Sequence, residues 1–327
     1  MTRPRRFLTL SALLAISACG GPAAATQPAQ SPSPGDTGSI STAAGSTAST
    51  GSATSATTAA NAPHLMIVMM ENREYSDVIG NASAPRINGI AADSGLATQA
   101  YGIRHPSQPN YIALITGSTQ GIVDDSPHVV DVPSLPLQLR DAGVGWRAYM
   151  GGMPTACDTE AQNGQYALKH NPFMSIRAVR DDPSLCGSVV PGSRLAGDLA
   201  AGTAPPFVFV SPGLCDDGHD CHTDVADTAL GKLVDMVTAS SWYAQGGVIV
   251  VAWDEGTTDA GCCGTSVGGH MPLVVLSSAL PRGTRLDTPL DQEGMLRGIE
   301  EFYRLPLLEH AADSVHGDLL PLLRPGS

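Results

Sequence analysis

Two short stretches place paired oxygen donors directly after apolar runs: Glu71-Asn72 in IVMMENREY and Asp254-Glu255 in VIVVAWDEG. Carboxylate and amide oxygens gathered at two strand ends suit a hard divalent cation. Taken singly, either pair is equally well explained by the turn- and cap-forming habits of acidic and amide side chains. The candidate nucleophile is Ser107, in HPSQPNYIALITGS. Pro109 suits the first turn of a helix that runs to about Thr116 and stops at Gly117. Ser107 then falls just before the helix N-terminus, where unpaired N–H groups and the helix dipole favour phosphate oxygens. A serine hydroxyl attacks only with help from a base or a cation. Its competing role at such a position is simply to cap the helix. Histidines enter as His105, His170 in KHNP, His219 and His222 in CDDGHDCH, and His270 in GGHMP. Neutral imidazole ligates metals, and imidazolium stabilises phosphoryl oxygens or protonates a leaving group. Lys169, beside His170, is a candidate to neutralise phosphate charge, against the default of an exposed lysine. The chain has no Walker-type loop or dinucleotide fingerprint.

These residues matter only if the chain brings them together. Leu65–Met70, Phe207–Val210, Val248–Ala252 and Leu273–Leu276 are short, continuous apolar runs, the pattern of strands covered on both faces. Helical patterns lie between them, among them Leu135–Ala142, stopped by Gly143, and Asp224–Ala239. Alternating strands and helices predict a layered α/β/α sandwich. In open α/β sheets, ligands collect at the carboxyl ends of the strands. Glu71-Asn72, the Cys215–His222 segment and Asp254-Glu255 each follow a predicted strand, so the three are expected to converge.

The formal net charge of −13 argues against a nucleic-acid or anionic-lipid binder, whose affinity comes largely from Lys and Arg. The chain opens MTRPRRFLTLSALLAISACGG: basic residues, an apolar stretch too short to span a bilayer, then ISAC, which resembles a lipobox. The expectation is a lipoprotein signal peptide over 1–18 and lipidation of Cys19, with a signal cleaved without lipidation as the rival. Residues 19–62, almost wholly Ala, Ser, Thr, Gly and Pro, are read as a tether unable to form a core. One domain, 63–327, is expected to follow on the outer face of the cell membrane. Export makes disulfides more probable than thiol chemistry for the remaining six cysteines. Proximity favours Cys157–Cys186 and Cys215–Cys221, while Cys262-Cys263 pair with each other or with separate partners. Their spacings fit a zinc knot poorly.

The stretches MIVMMENREYSD, HPSQPNYIALITGSTQGIVDD, YALKHNPF, PGLCDDGHDC and VVAWDEG…GGHMP resemble the bacterial and fungal phosphoesterase family, which contains secreted acid phosphatases and phospholipases C. That family belongs to the alkaline-phosphatase-like superfamily. The likeness runs in order from about residue 64 to 312 and is nearest the acid phosphatase branch. It implies an α/β/α sandwich around a central, mostly parallel sheet. It implies that Glu71, Asn72, Asp254 and Glu255, with Ser107, hold one divalent cation, for which Ca, Mg, Mn and Zn all stay open. Ser107 would attack phosphorus and become transiently phosphorylated. His170, His219 and His270 would contact phosphoryl oxygens or assist the leaving group, with Lys169 and Asn110 as phosphate contacts. The substrate would be a small-molecule or lipid phosphate ester. If the histidines must be protonated, activity favours mildly acid pH. A phospholipase C or phosphodiesterase of the same family is the alternative enzyme, and a catalytically silent surface binding protein the alternative of another class. The oligomeric state stays open.

Overall fold

The structure, a computed structural model, describes residues 62–326. The predicted signal peptide, Cys19 and all but the last residue of the predicted tether lie outside the described residues. Ten strands are formed among these residues: β1 Leu65–Met70, β2 Gly95–Tyr101, β3 Trp146–Met150, β4 Gln162–Asn163, β5 Tyr166–Ala167, β6 Val189–Pro191, β7 Phe207–Ser211, β8 Val248–Trp253, β9 His270–Leu276 and β10 Arg285–Leu286. Eight of them build one sheet in the order β10-β2-β9-β8-β1-β7-β3-β6, and β4 and β5 form a separate hairpin. Every pairing in the large sheet is parallel except those of β9 with β8 and β2.

The four strands predicted as apolar runs are β1, β7, β8 and β9. Of these β1, β8 and β7 lie side by side at the centre, where both faces are covered. Every residue of β1 and β8 is buried, as continuous apolar strands require. Helices Leu135–Asp141 and Thr223–Thr238 match the predicted spans to within a residue. On the latter, Ala226, Leu230, Val234 and Val237 form the inward stripe, at the three- and four-residue spacing of a core-facing helix. Strands β2, β3 and β6 were not evident as apolar runs. Thr98, Gln99 and Arg147 interrupt the apolar pattern of the first two, and β6 is only three residues long.

The helix carrying the candidate nucleophile spans Ser107–Thr116 and is buried along its whole length. It ends at Gly117, which takes the left-handed conformation at φ 84°, the usual glycine stop. Among the described residues three disulfides form: Cys157–Cys186, Cys215–Cys221 and the adjacent pair Cys262–Cys263. The last was one of the two arrangements left open by the sequence.

Candidate active site

Strand register brings the two acidic segments together. β1 and β8 run parallel with Met70 opposite Trp253, so the next residues, Glu71 and Asp254, emerge side by side. The pairing continues one step beyond the strands, with the Asp254 N–H donating to the Met70 carbonyl at 3.0 Å. On the other flank the Glu71 N–H donates to the Asp217 carbonyl at 3.0 Å, which draws in the loop after β7. The three loops expected to converge therefore do so at the carboxyl end of the sheet.

The cluster is buried. Glu71, Asp217 and Asp254 are each 0% exposed. Asn72 sits in the left-handed region at φ 46°, which Asn tolerates better than most residues. In that conformation its N–H donates to Asp254 Oδ1 at 3.0 Å. One Glu71 oxygen accepts from the Tyr111 hydroxyl. The other accepts from Ser107 Oγ at 3.2 Å and lies 3.3 Å from His170 Nε2. His170 Nδ1 faces Asp217 Oδ2 at 3.6 Å. The serine is thus the first residue of its helix, one place later than expected, and makes no capping bond. Its hydroxyl points into the carboxylates instead.

So many buried acids disturb one another. Burial, then the charges of Asp254 and Asp217, push Glu71 well above the usual carboxylate range. Burial raises Asp217 to about 7 and also lifts Asp254. Burial, with Asp254 and Asp125 nearby, carries Glu255 to about 9. For His170 burial dominates and pulls the imidazole down to about 3. His170 therefore enters the site as a neutral ring rather than the protonated phosphoryl contact that an acid preference requires. Its desolvation at 3% exposure is the reason.

Four buried polar atoms converging here have no hydrogen-bond partner: Asn72 Oδ1, Asp254 Oδ2, Asp217 Oδ2 and His170 Nε2. Leaving such atoms unpaired costs about 1–3 kcal/mol each, and a divalent cation satisfies them while offsetting the crowded negative charge. Ligand atoms of Glu71, His170 and Asp217 lie within 4.8 Å of one another. The residues present therefore fit a cation. The donor set includes Asp217, which the predicted set omitted, and a neutral imidazole.

Other predicted residues sit differently. Asn110 is a brace, with Oδ1 accepting from the Ile103 and Arg104 N–H groups and Nδ2 donating to the Arg104 carbonyl at 2.7 Å. Those bonds hold it fully buried. Glu255 turns toward the same segment, accepting from His105 at 2.9 Å and Asn110 at 3.4 Å through one oxygen. The His270 ring is stacked between Tyr75 and Tyr101, with Nε2 on the Thr98 carbonyl at 2.9 Å, so its contacts lie outside the cluster. Lys169 and His219 stand together at the rim. Lys169 Nζ donates to Asp125 Oδ2 at 2.9 Å and to His219 Nε2 at 3.2 Å, and His219 Nδ1 meets Asp220 Oδ1 at 2.7 Å. Burial alone lowers the Lys169 pKa, but the Asp125 bond and charge carry it upward.

Sequence reasoning passed over Asp125, Tyr111 and Gln292. Asp125 Oδ1 accepts the Gln108 N–H at 2.9 Å, filling a donor at the helix start that had been reserved for phosphate. Gln292 spans the site from behind, accepting from the Ile103 N–H at 3.0 Å and donating to the Asp254 carbonyl at 2.5 Å. The paired acids in GIVDD were visible in the sequence; nothing local marked Gln292.

The model of the Phosphoesterase family matches residues 82–306, which span the Ser107 helix, the histidine loop and the second acidic pair. The chain belongs to the phosphoesterase family. It is 30% identical over 254 residues to a phosphatidylinositol-3-phosphatase of Mycobacterium tuberculosis, covering 77% of this chain and 80% of that protein. It is 24% identical to a phosphate-repressible acid phosphatase of Penicillium chrysogenum, covering 74% of this chain but only 59% of the longer fungal protein. A crystal structure of an alkaline phosphatase superfamily protein from Vibrio parahaemolyticus superposes with a TM-score of 0.51 over 75% of this chain and 67% of that one, at 14% identity. That likeness speaks to the fold, which is alkaline-phosphatase-like. The phosphoesterase family member described here is a hydrolase acting on phosphate esters.

Proposed function

We propose that this phosphoesterase is an exported, metal-assisted acid phosphatase that hydrolyses phosphate monoesters through a phosphoserine on Ser107, held on the outer face of the cell membrane by a lipid on Cys19. The observation that carries the chemistry is Ser107 itself: a buried hydroxyl that caps nothing and lies 3.2 Å from Glu71 Oε2. Export rests on the leader and lipobox-like ISAC. The relatives named for acid phosphatase and phosphatidylinositol-3-phosphatase activity support a monoester substrate.

Glu71, Asn72, Asp217, Asp254 and His170 would hold the cation, which when bound polarises the phosphoryl group and lowers the pKa of a nearby hydroxyl. Glu71, whose Oε2 accepts from Ser107 Oγ at 3.2 Å, orients that hydroxyl and takes its proton as attack on phosphorus forms the Ser–O–P bond and breaks the bond to the alcohol oxygen. Tyr111 holds Glu71 in place through the second carboxylate oxygen. Lys169, kept charged by Asp125, faces the equatorial oxygens, where one well-placed donor contributes about 3 kcal/mol. His219, at the solvent rim, donates a proton to the departing oxygen from Nε2 in its imidazolium form, with Lys169 Nζ turned from that nitrogen to the phosphoryl oxygens. Water then attacks the phosphoserine and frees phosphate.

The test combines Ser107→Ala with substrate choice. The variant is expected to lose about a thousandfold or more of its activity on p-nitrophenyl phosphate, and acid-quenched wild type is expected to carry phosphate on Ser107 by mass spectrometry. Phosphate release unchanged in Ser107→Ala defeats the nucleophile assignment. Turnover of the bis-ester or of phosphatidylcholine, without the monoester, replaces the phosphatase reading with that of a phosphodiesterase or phospholipase C.

A further inference from the structure

On the far side of Gln292 lies a second group of ligand-type side chains that the phosphoryl chemistry does not use. The helix Gln292–Tyr303 begins with Asp291 as its cap, Oδ1 accepting from the Glu293 and Gly294 N–H groups. Glu293, in the first turn, is 4% exposed. After the helix the chain returns over its start through two short 3-10 turns, Glu309–Ala312 and Ser314–His316. The return is tight: a Cβ on Gly294 would stand 1.9 Å from the His316 carbonyl oxygen, so only glycine admits it. This close approach delivers two imidazoles to one carboxylate. His310 Nδ1 lies 3.3 Å from Glu293 Oε1, and His316 Nδ1 lies 2.9 Å from Glu293 Oε2 and 2.7 Å from Asp291 Oδ2. The two rings are parallel within 9° at 5.9 Å.

We propose that Glu293, His310 and His316, with Asp291 alongside, form a second metal site that takes zinc or a similar borderline d-block cation. Two nitrogens and two carboxylate oxygens match the ligand types zinc prefers, whereas calcium and magnesium favour all-oxygen shells. Bonds of 2.0–2.1 Å in tetrahedral geometry set ligand atoms about 3.3 Å apart. The distance from His310 to Glu293 Oε1 already has that value, the His316–Asp291 contact reaches it by opening about 0.6 Å, and Glu293, which meets the two rings with different oxygens, presents either one by turning its carboxylate. All three principal ligand atoms lie within 4.8 Å of one another. Glu293 and His310 also line a cavity of about 460 Å³ together with Arg104, Gln120 and Val267, which gives the ion an entrance and room for a water ligand.

Such an ion fastens the returning segment to the helix start. Through Asp291, whose Oδ2 also accepts from Ser266 Oγ at 2.7 Å, it braces the loop after Asp254-Glu255. That loop carries the Cys262–Cys263 pair and hydrogen-bonds the segment leading to Ser107, its Val267 N–H donating to the Ile103 carbonyl at 2.8 Å. The role is therefore structural, and it is separate from the cation at Glu71.

The experiment measures zinc bound by the full chain after chelation and dialysis, with the first site disabled by Asp254→Asn. Asp254→Asn protein is expected to bind about one equivalent of zinc, and cobalt in its place is expected to give the visible absorption of a tetrahedral nitrogen–oxygen site. Adding His310→Ala is expected to weaken zinc binding at least tenfold, abolish that absorption and remove the zinc-dependent rise in Tm. His310 is exposed, so its truncation leaves the fold intact, and Glu293→Gln serves as an independent second variant. Equal zinc binding with and without His310 and Glu293, or no zinc binding by the Asp254→Asn protein, overturns the proposal.

Discussion

Asp217→Asn tests the crowding of charge in the active site, because its effect reverses with the presence of a cation. Asp217 is 0% exposed, and burial raises its carboxyl from 3.8 to about 7. A group whose pKa is raised on folding contributes stability that is fully present below its unfolded pKa and is lost as pH climbs through the folded one. In cation-free protein the loss therefore begins near pH 4 and is complete above pH 7. About three pKa units at about 1.4 kcal/mol each set a ceiling near 4 kcal/mol. Glu71 and Asp254 beside it are raised by burial as well, so the three titrations are not independent and about 2–4 kcal/mol is the working figure. Asparagine keeps the oxygen that accepts the His219 N–H at 2.7 Å and removes the charge. In chelator at pH 8, Asp217→Asn is thus expected to melt about 5–15 °C above wild type, and the gap should close near pH 4. With cation at about a hundred times its Kd, wild type gains about 2.7 kcal/mol, and the variant, lacking a ligand, gains less. Scanning calorimetry at both pH values, with and without cation, reads all four states. A variant that melts below wild type in chelator at pH 8 would refute the picture of carboxylates held together against their repulsion for an ion.

Three further outcomes follow from the geometry. Replacing His219 with Gln is expected to slow alkyl phosphates by about 10²–10⁴-fold but p-nitrophenyl phosphate much less, since a good leaving group needs no proton; equal losses on both substrates refute the general-acid role. Asp125→Asn removes the charge opposite Lys169 Nζ at 2.9 Å, so kcat is expected to fall about tenfold with Tm nearly unchanged, and a loss confined to KM counts against positioning of Lys169. Glu300, 0% exposed and raised by burial to about 7, costs stability as pH rises from about 4.5 through 7. Glu300→Gln is accordingly expected to be about 2–3 kcal/mol more stable than wild type at pH 8.5 and equal to it near pH 4, by urea denaturation.

What the sequence revealed about the site divides along a physical line. Glu71, Asp254 and the Cys215–His222 loop could be placed because each follows a strand buried on both faces, whose continuous apolar run is visible without knowing any partner. Once β1, β7 and β8 pair in parallel, their exits converge without further instruction. The direction of each side chain was a different matter. Ser107 and a capping serine look alike in sequence; what separates them is Glu71, 36 residues away. Asn110 and His270 carried the residue types of a phosphate site, yet their donors and acceptors are consumed by the backbone of residues 103–106 and by Thr98. Protonation was equally hidden, because a histidine's charge depends on desolvation that only the packed neighbours supply. At His170 that desolvation leaves a neutral ring facing Glu71 and Asp217. The buried imidazole therefore supplies no protonated form on which an acid pH preference could rest.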